Sequence, residues 1–133
     1  MLQNVQLLSN IPEDRIASLE QASRMRKYPK NTILFMEGDD NGQLYIIESG
    51  MVCVYTDGAD GKQLILNYLN AGDYFGELAL LDNKPRSASV VTMTDSTIAS
   101  ISRDDFSRFL KDNPDLYATL MSQLVAKICS LTD

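Results

Sequence analysis

Histidine is missing altogether from the 133 residues, and so is tryptophan. Without imidazole, no histidine dyad or triad can carry out acid–base or nucleophilic chemistry. Nor can the histidine-rich sites that hold zinc, iron or copper be built. Only two cysteines occur, Cys53 and Cys129. They lie too far apart in sequence to form a CxxC redox or ligand pair, and each reads as a small core hydrophobe of a reducing compartment. Positive charge is also scarce: 12 Lys and Arg against 18 Asp and Glu leave a net charge of −6. That balance argues against a non-specific grip on nucleic acid or anionic lipid, while leaving room for one local anion site. No apolar run is long enough to span a bilayer. Met1-Leu2-Gln3-Asn4 lacks the basic-then-apolar order of a signal peptide. A cytoplasmic chain with no metal, no membrane and no direct nucleic-acid partner is therefore expected.

What is present is globular composition, 44% hydrophobic and 23% charged, in a length that fits one domain of residues 1–133 with a core needing no staple. Three regions differ in hydrophobic period. Residues 1–27 read as an N-terminal helical segment, with Ile11, Ile16 and Leu19 recurring at near-turn spacing between Asn10 and Met25. Pro12 suits its first turn, and Glu13 and Asp14 complement the helix dipole. Tyr28-Pro29-Lys30-Asn31 breaks the pattern.

Residues 28–102 read as short strands with glycine punctuation: Thr32–Met36, Leu44–Ser49, Met51–Thr56, Lys62–Leu69, Ala88–Met93 and Thr97–Ile101. Ser49-Gly50 is a hairpin signal, and further turns fall at 57–61 and 71–73. Many short strands at this spacing indicate a sandwich or barrel. Residues 103–133 turn helical again. Ser102 is placed to cap, Asp105 sits three residues later, and Phe106, Phe109 and Leu110 point inward. Asn113-Pro114-Asp115 ends that helix and starts another. The last helix carries Leu116, Tyr117, Leu120, Met121, Leu124, Val125, Ile128 and Leu131 over an arc of roughly 180°, wider than the ~100° that docking on one domain needs. Either a deep groove takes the whole face, or a second copy of this helix or an effector protein covers the excess.

The stretch that carries chemistry is Gly72-Asp73-Tyr74-Phe75-Gly76-Glu77-Leu78-Ala79-Leu80-Leu81-Asp82-Asn83-Lys84-Pro85-Arg86-Ser87-Ala88. Gly76 permits a tight turn and close backbone approach. Residues 77–81 suit one helical turn whose free N–H groups would face an anion. Arg86, Ser87 and Ala88 would bring a guanidinium, a hydroxyl and backbone donors to the same place, and arginine's planar fork suits two phosphate oxygens. Glu77 can accept from sugar hydroxyls. Neither a GxxxxGK[ST] nor a GxGxxG run occurs, so triphosphate and dinucleotide solutions are disfavoured. One arginine without a carboxylate cluster for metal matches a singly charged cyclic monophosphate. An internal Glu77–Arg86 salt bridge is the competing reading. Tyr74 and Phe75 read as core rather than as stacking platforms.

The run FGELALL, three residues, PRSASV resembles the phosphate-binding cassette (residues 75–89 here) of the cyclic nucleotide-binding domain family, of the catabolite activator protein and protein kinase A regulatory subunit type. The resemblance implies a mainly β fold: an eight-stranded antiparallel jelly-roll barrel (a double-stranded β-helix) with an N-terminal helix and two C-terminal helices. It also implies roles. Arg86 would pair with the exocyclic phosphate oxygens, Ser87 would give its hydroxyl and N–H, and Ala88 its N–H. Glu77 would accept from the ribose 2′-OH beside the Gly76 backbone, and Leu78 and Ala79 would form the short helix facing the ligand. Leu64, Leu66 and Tyr68 alternate on one strand face, whose parity admits either a lining of the barrel around the base or solvent.

The expected function is a non-enzymatic sensor of cAMP, less readily cGMP, as regulatory ligand rather than cofactor. It would relay binding through the C-terminal helices to a dimer mate or effector. Ser87, in place of the threonine common in cGMP-responsive relatives, favours cAMP. The alternative is a ligand-free degenerate domain retained as a dimerisation or docking scaffold. A cupin-type enzyme is opposed by the lack of histidine, and a DNA-binding regulator by the acidic charge. With no output segment after Asp133, either a stand-alone sensor or a fragment is expected.

Overall fold

The computed structural model describes residues 13–76 and 85–115, with residues 118 and 122. In chain order the elements are α1 (Glu13–Ala22), β1 (Arg24–Tyr28), β2 (Ile33–Phe35), β3 (Gln43–Ser49), β4 (Met51–Asp57), β5 (Gln63–Asn70), β6 (Tyr74–Phe75), β7 (Ser89–Thr92), β8 (Ser96–Ser102) and α2 (Arg103–Asp112). All strand pairs are antiparallel. They form two four-stranded sheets, ordered β1-β8-β3-β6 and β2-β7-β4-β5. The chain is mainly β with two helices among the described residues.

The middle strands of the first sheet, β3 and β8, are buried on both faces, which explains the unbroken apolar run Leu44-Tyr45-Ile46-Ile47 in β3. Side chains alternate across a strand. Leu44 and Ile46, with Ala99 and Ile101 of β8, pack under Ile16 and Leu19 of α1 and Phe106, Phe109 and Leu110 of α2. Tyr45, Ile47 and Ile98 face the other way and meet Phe35, Val52, Leu69, Phe75 and Val90 between the sheets. The molecule thus has two cores with one sheet shared between them. The Ser102 hydroxyl accepts from Asp105 N at 3.2 Å and caps α2 as expected. Asn113 closes the helix, donating from its backbone N to the Leu110 carbonyl and from Nδ2 to the Phe109 carbonyl.

Three expectations are corrected. The first helix stops at Ala22, and Arg24–Tyr28 is a strand paired with β8. Its sequence, RMRKY, carries no apolar alternation because four of its five residues are exposed on a sheet edge, and charge on an edge strand discourages further pairing. Ser49-Gly50 is not a hairpin: β3 pairs with β6 and β8, whereas β4 pairs with β5 and β7. The chain changes sheets there, with Gly50 at φ +100° where an added Cβ would meet the Ser96 backbone at 2.8 Å. The turn at 57–61 does join paired strands, β4 and β5, and is closed by Gly58 N donating to the Lys62 carbonyl at 2.8 Å. Third, Leu64, Leu66 and Tyr68 do not share a face. The β4–β5 register jumps from Val54↔Asn67 to Tyr55↔Ile65, leaving Leu66 as the extra residue of a bulge. A bulge reverses the facing of the residues on its far side. Leu64 therefore stands opposite Thr56, on the face of Val52 and Leu69, while Tyr68 stands opposite Cys53.

Candidate functional site

The site lies where the two sheets converge. Gly76 follows the end of β6 beside the start of β3, and Arg86 lies three residues before β7 of the second sheet. The backbone of Arg86 is clasped by the turn after β2. Gly38 N donates to the Arg86 carbonyl and Arg86 N donates to the Asp39 carbonyl, each at 2.8 Å. That turn is itself closed, with Met36 N donating to Asp39 Oδ2 at 2.9 Å. It is also tied to β7, Glu37 N donating to the buried Ser89 hydroxyl at 2.7 Å. The Gly38-Asp39 turn thus has a concrete task, fixing the Cα from which the arginine projects.

The Arg86 side chain is 5% exposed. Its guanidinium carbon stands 4.2 Å from the Phe35 ring centroid and 5.9 Å from that of Tyr45. Both rings belong to an aromatic cluster in which Tyr45 and Phe75 stack at 5.1 Å. An arginine over an aromatic face is held by the ring quadrupole. Nη1 donates to the Gly76 carbonyl at 2.9 Å. Nη2 donates to the Gln43 carbonyl at 2.5 Å and to Asn41 Oδ1 at 3.0 Å. These three acceptors are neutral, and an ionised acceptor makes the stronger hydrogen bond.

Gly76 explains why that contact exists. Its φ of +89° lies in the left-handed region, and a Cβ there would stand 2.6 Å from Arg86 Nη1 and 2.8 Å from the Gln43 carbonyl oxygen. The close approach at Gly76 is toward the arginine, whereas the sequence suggested one toward a ligand. Of the other expected residues, Ser87 is exposed in the bend after Arg86, and Ala88 is buried at 9%. Leu64 and Leu66 are 61% and 49% exposed. Glu77, Leu78 and Ala79, the helical turn at 77–81, the final apolar helix from Leu116 and Cys129 lie outside the described residues. Sequence reasoning missed Phe35, Asn41, Gln43 and Tyr45. Several of these act through a backbone carbonyl or a ring face, and nothing in the local sequence marks such a contact.

Among the described residues no group of three or more His, Cys, Asp or Glu side chains could hold a metal, and no helix is long and apolar enough to cross a membrane.

The family model described as cyclic nucleotide-binding domain matches residues 25–113. The chain is 40% identical over 115 residues to the cAMP-dependent protein kinase regulatory subunit of Aspergillus niger, covering 86% of this chain and 27% of that protein. It is 37% identical over 105 residues to the cAMP-activated global transcriptional regulator CRP of Salmonella typhimurium, covering 78% of this chain and 50% of that protein. The crystal structure of the Thermus thermophilus catabolite activator protein superposes with a TM-score of 0.86 at 27% identity, over 93% of this chain and 58% of that one. The chain therefore spans between about a quarter and a half of the length of the curated relatives it matches.

Proposed function

This chain belongs to the cyclic nucleotide-binding domain family, and from that premise we propose that it is a non-enzymatic cAMP sensor of the cytoplasm. The observation that carries the reading is the buried Arg86 guanidinium, set over Phe35 and hydrogen-bonded to neutral acceptors beside a glycine that admits it. A cyclic phosphate would bring one full negative charge to this guanidinium and accept charge-assisted hydrogen bonds from it. Ser87 would offer its hydroxyl and N–H, and its exposure in the adjoining bend supports that role. Ala88 N–H and the backbone around Gly76, Leu78 and Ala79 would complete the donor set, with Glu77 receiving the ribose 2′-OH. The register that puts Leu64 on the face of Val52 and Leu69 supports a base contact there; Leu66, at the bulge, would flank it. Serine at position 87 and the cAMP-directed names of the relatives favour cAMP over cGMP.

The strand orders support reading the two sheets as the jelly-roll barrel of the family. A route for output is supported at the start of α2. Arg103 N donates to the Gly42 carbonyl at 2.8 Å, one residue from both Asn41 and Gln43, which hold Arg86. Rearrangement of the guanidinium on ligand binding would thus bear on α2 and, through it, on the C-terminal segment and a dimer mate or effector.

Titration calorimetry with cAMP and cGMP tests the reading. Replacing Arg86 by Ala removes a partly buried charge-assisted contact, and should weaken binding by roughly thirty-fold to several-thousand-fold. Parent-like affinity in Arg86→Ala would remove the role assigned to the guanidinium.

A further inference from the structure

We propose that Asn41 is the positioning residue that sets the Arg86 guanidinium for the ligand, an inference that rests on the reading of Arg86 as the phosphate partner. Asn41 sits in the loop before β3, and its side-chain amide makes three contacts at once. Oδ1 accepts from Arg86 Nη2 at 3.0 Å and from Gln43 N at 3.1 Å. Nδ2 donates to the Tyr45 hydroxyl at 3.1 Å.

This arrangement admits one amide orientation. The guanidinium and the peptide N–H are donors only. Rotating the amide by half a turn would set its NH2 group against two donors, a loss that the phenol, able to donate as well as accept, could not offset. The two donors therefore lock the amide, the Tyr45 hydroxyl takes up its Nδ2, and the locked oxygen locates Nη2. The Gly76 and Gln43 carbonyls are backbone groups that any sequence would supply at those points. Among the acceptors named around Arg86, Asn41 is the one whose chemistry the sequence chooses. Tyr45 in turn is held by its stack on Phe75 and its place in the aromatic cluster under the arginine, so the bracket is anchored in the inter-sheet core rather than in a loop.

The choice of an amide has a consequence. Asn41 orients the guanidinium by a dipole and adds no counter-charge of its own, so an incoming anion meets a cation already aimed. A guanidinium that must be ordered at the moment of binding gives up part of the contact to conformational entropy.

The experiment uses the full chain and two readouts. In the ligand-free protein, low-temperature nitrogen-15 spectra report rotation about the Arg86 Cζ–Nη bonds, with the Arg86 signals identified by their loss in Arg86→Ala. The parent should give separate, slowly exchanging Nη–H signals; Asn41→Ala should merge or broaden them; Asn41→Asp, which keeps an acceptor in the same place, should restore them. In calorimetry with cAMP, Asn41→Ala should weaken binding by roughly ten-fold, as expected for loss of a hydrogen bond to a charged group. Asn41→Asp, which adds the counter-charge that the amide lacks, should not recover that loss, and Tyr45→Phe, which removes the partner of Nδ2, should fall between the parent and Asn41→Ala. Unchanged Nη signals in Asn41→Ala together with affinity within about two-fold of the parent would overturn the proposal. So would Nη signals as merged in Asn41→Asp as in Asn41→Ala. If the parent binds no cyclic nucleotide, the ligand reading itself fails, whereas the Nη signals still separate a held guanidinium from an unheld one.

Discussion

Replacing Gly76 by alanine probes the packing that brings β6 against Arg86. Two effects destabilise the variant. A residue with a Cβ held at φ +89° costs on the order of 1–3 kcal/mol. The new methyl also falls 2.6 Å from Arg86 Nη1 and 2.8 Å from the Gln43 carbonyl oxygen, and overpacking of that kind adds about 1–3 kcal/mol. The guanidinium can swing aside, but the carbonyl belongs to β3 at its pairing with Ser102 and cannot. Lower chain entropy in the unfolded state returns about 0.4–1 kcal/mol. The net loss should be roughly 1–6 kcal/mol, read from urea denaturation as a lower midpoint at unchanged slope. The sharper assay is a double-mutant cycle with Arg86→Ala. Deleting the guanidinium removes the Nη1 overlap but not the backbone strain, so the double variant should be less destabilised than the sum by about 1 kcal/mol. Additivity within about 0.5 kcal/mol would refute the claim that glycine is required here by the arginine.

Two further outcomes rest on particular contacts. Ser102→Ala should lower stability by about 1 kcal/mol through loss of the α2 cap, whereas Ser102→Gly should cost only a few tenths, both measurable by denaturant titration. Burial, reinforced by the neighbouring Tyr45 and opposed by Arg26, holds the Tyr28 phenol above its ordinary value of 10.0. The fold then prefers the neutral phenol. Its contribution to stability is complete below the ordinary tyrosine value and is lost as pH rises through the higher folded-state value. Tyrosinate absorbance should show one late-titrating phenol that disappears in Tyr28→Phe, and that variant should lose part of the alkaline fall in stability.

Six strands, β2 to β5, β7 and β8, were legible in the sequence from their aliphatic, β-branched and aromatic residues, including β5, which is exposed at seven of its eight positions. β3, β4, β7 and β8 carry β-branched and aromatic residues in runs or alternation, and the cores they line need those residues. β1 and β6 were not legible. RMRKY is an exposed edge whose strand conformation comes from hydrogen bonding to β8, and Tyr74–Phe75 is two residues long, too short to show any period. The cap at Ser102 and the inward residues of α2 could be read locally, because helix ends and helix faces are set by neighbours within a few positions.

The candidate site divides along the same line. That Arg86 and Gly76 belong together was readable from one contiguous stretch, since a glycine, a short connection and an arginine before a strand are local features. Sheet partnership was not: Ser49-Gly50 has the composition of a hairpin, yet it joins two sheets, and turn chemistry does not say which strand the next one will meet. Asn41, Gln43, Phe35 and Tyr45 likewise came to Arg86 only through folding, across as many as 51 positions for Phe35 and 45 for Asn41. Composition and local pattern determine which groups the chain has and which segments bury a face; the pairing of β3 with β6 and β8, a matter of long-range register, decides which of those groups surround the guanidinium.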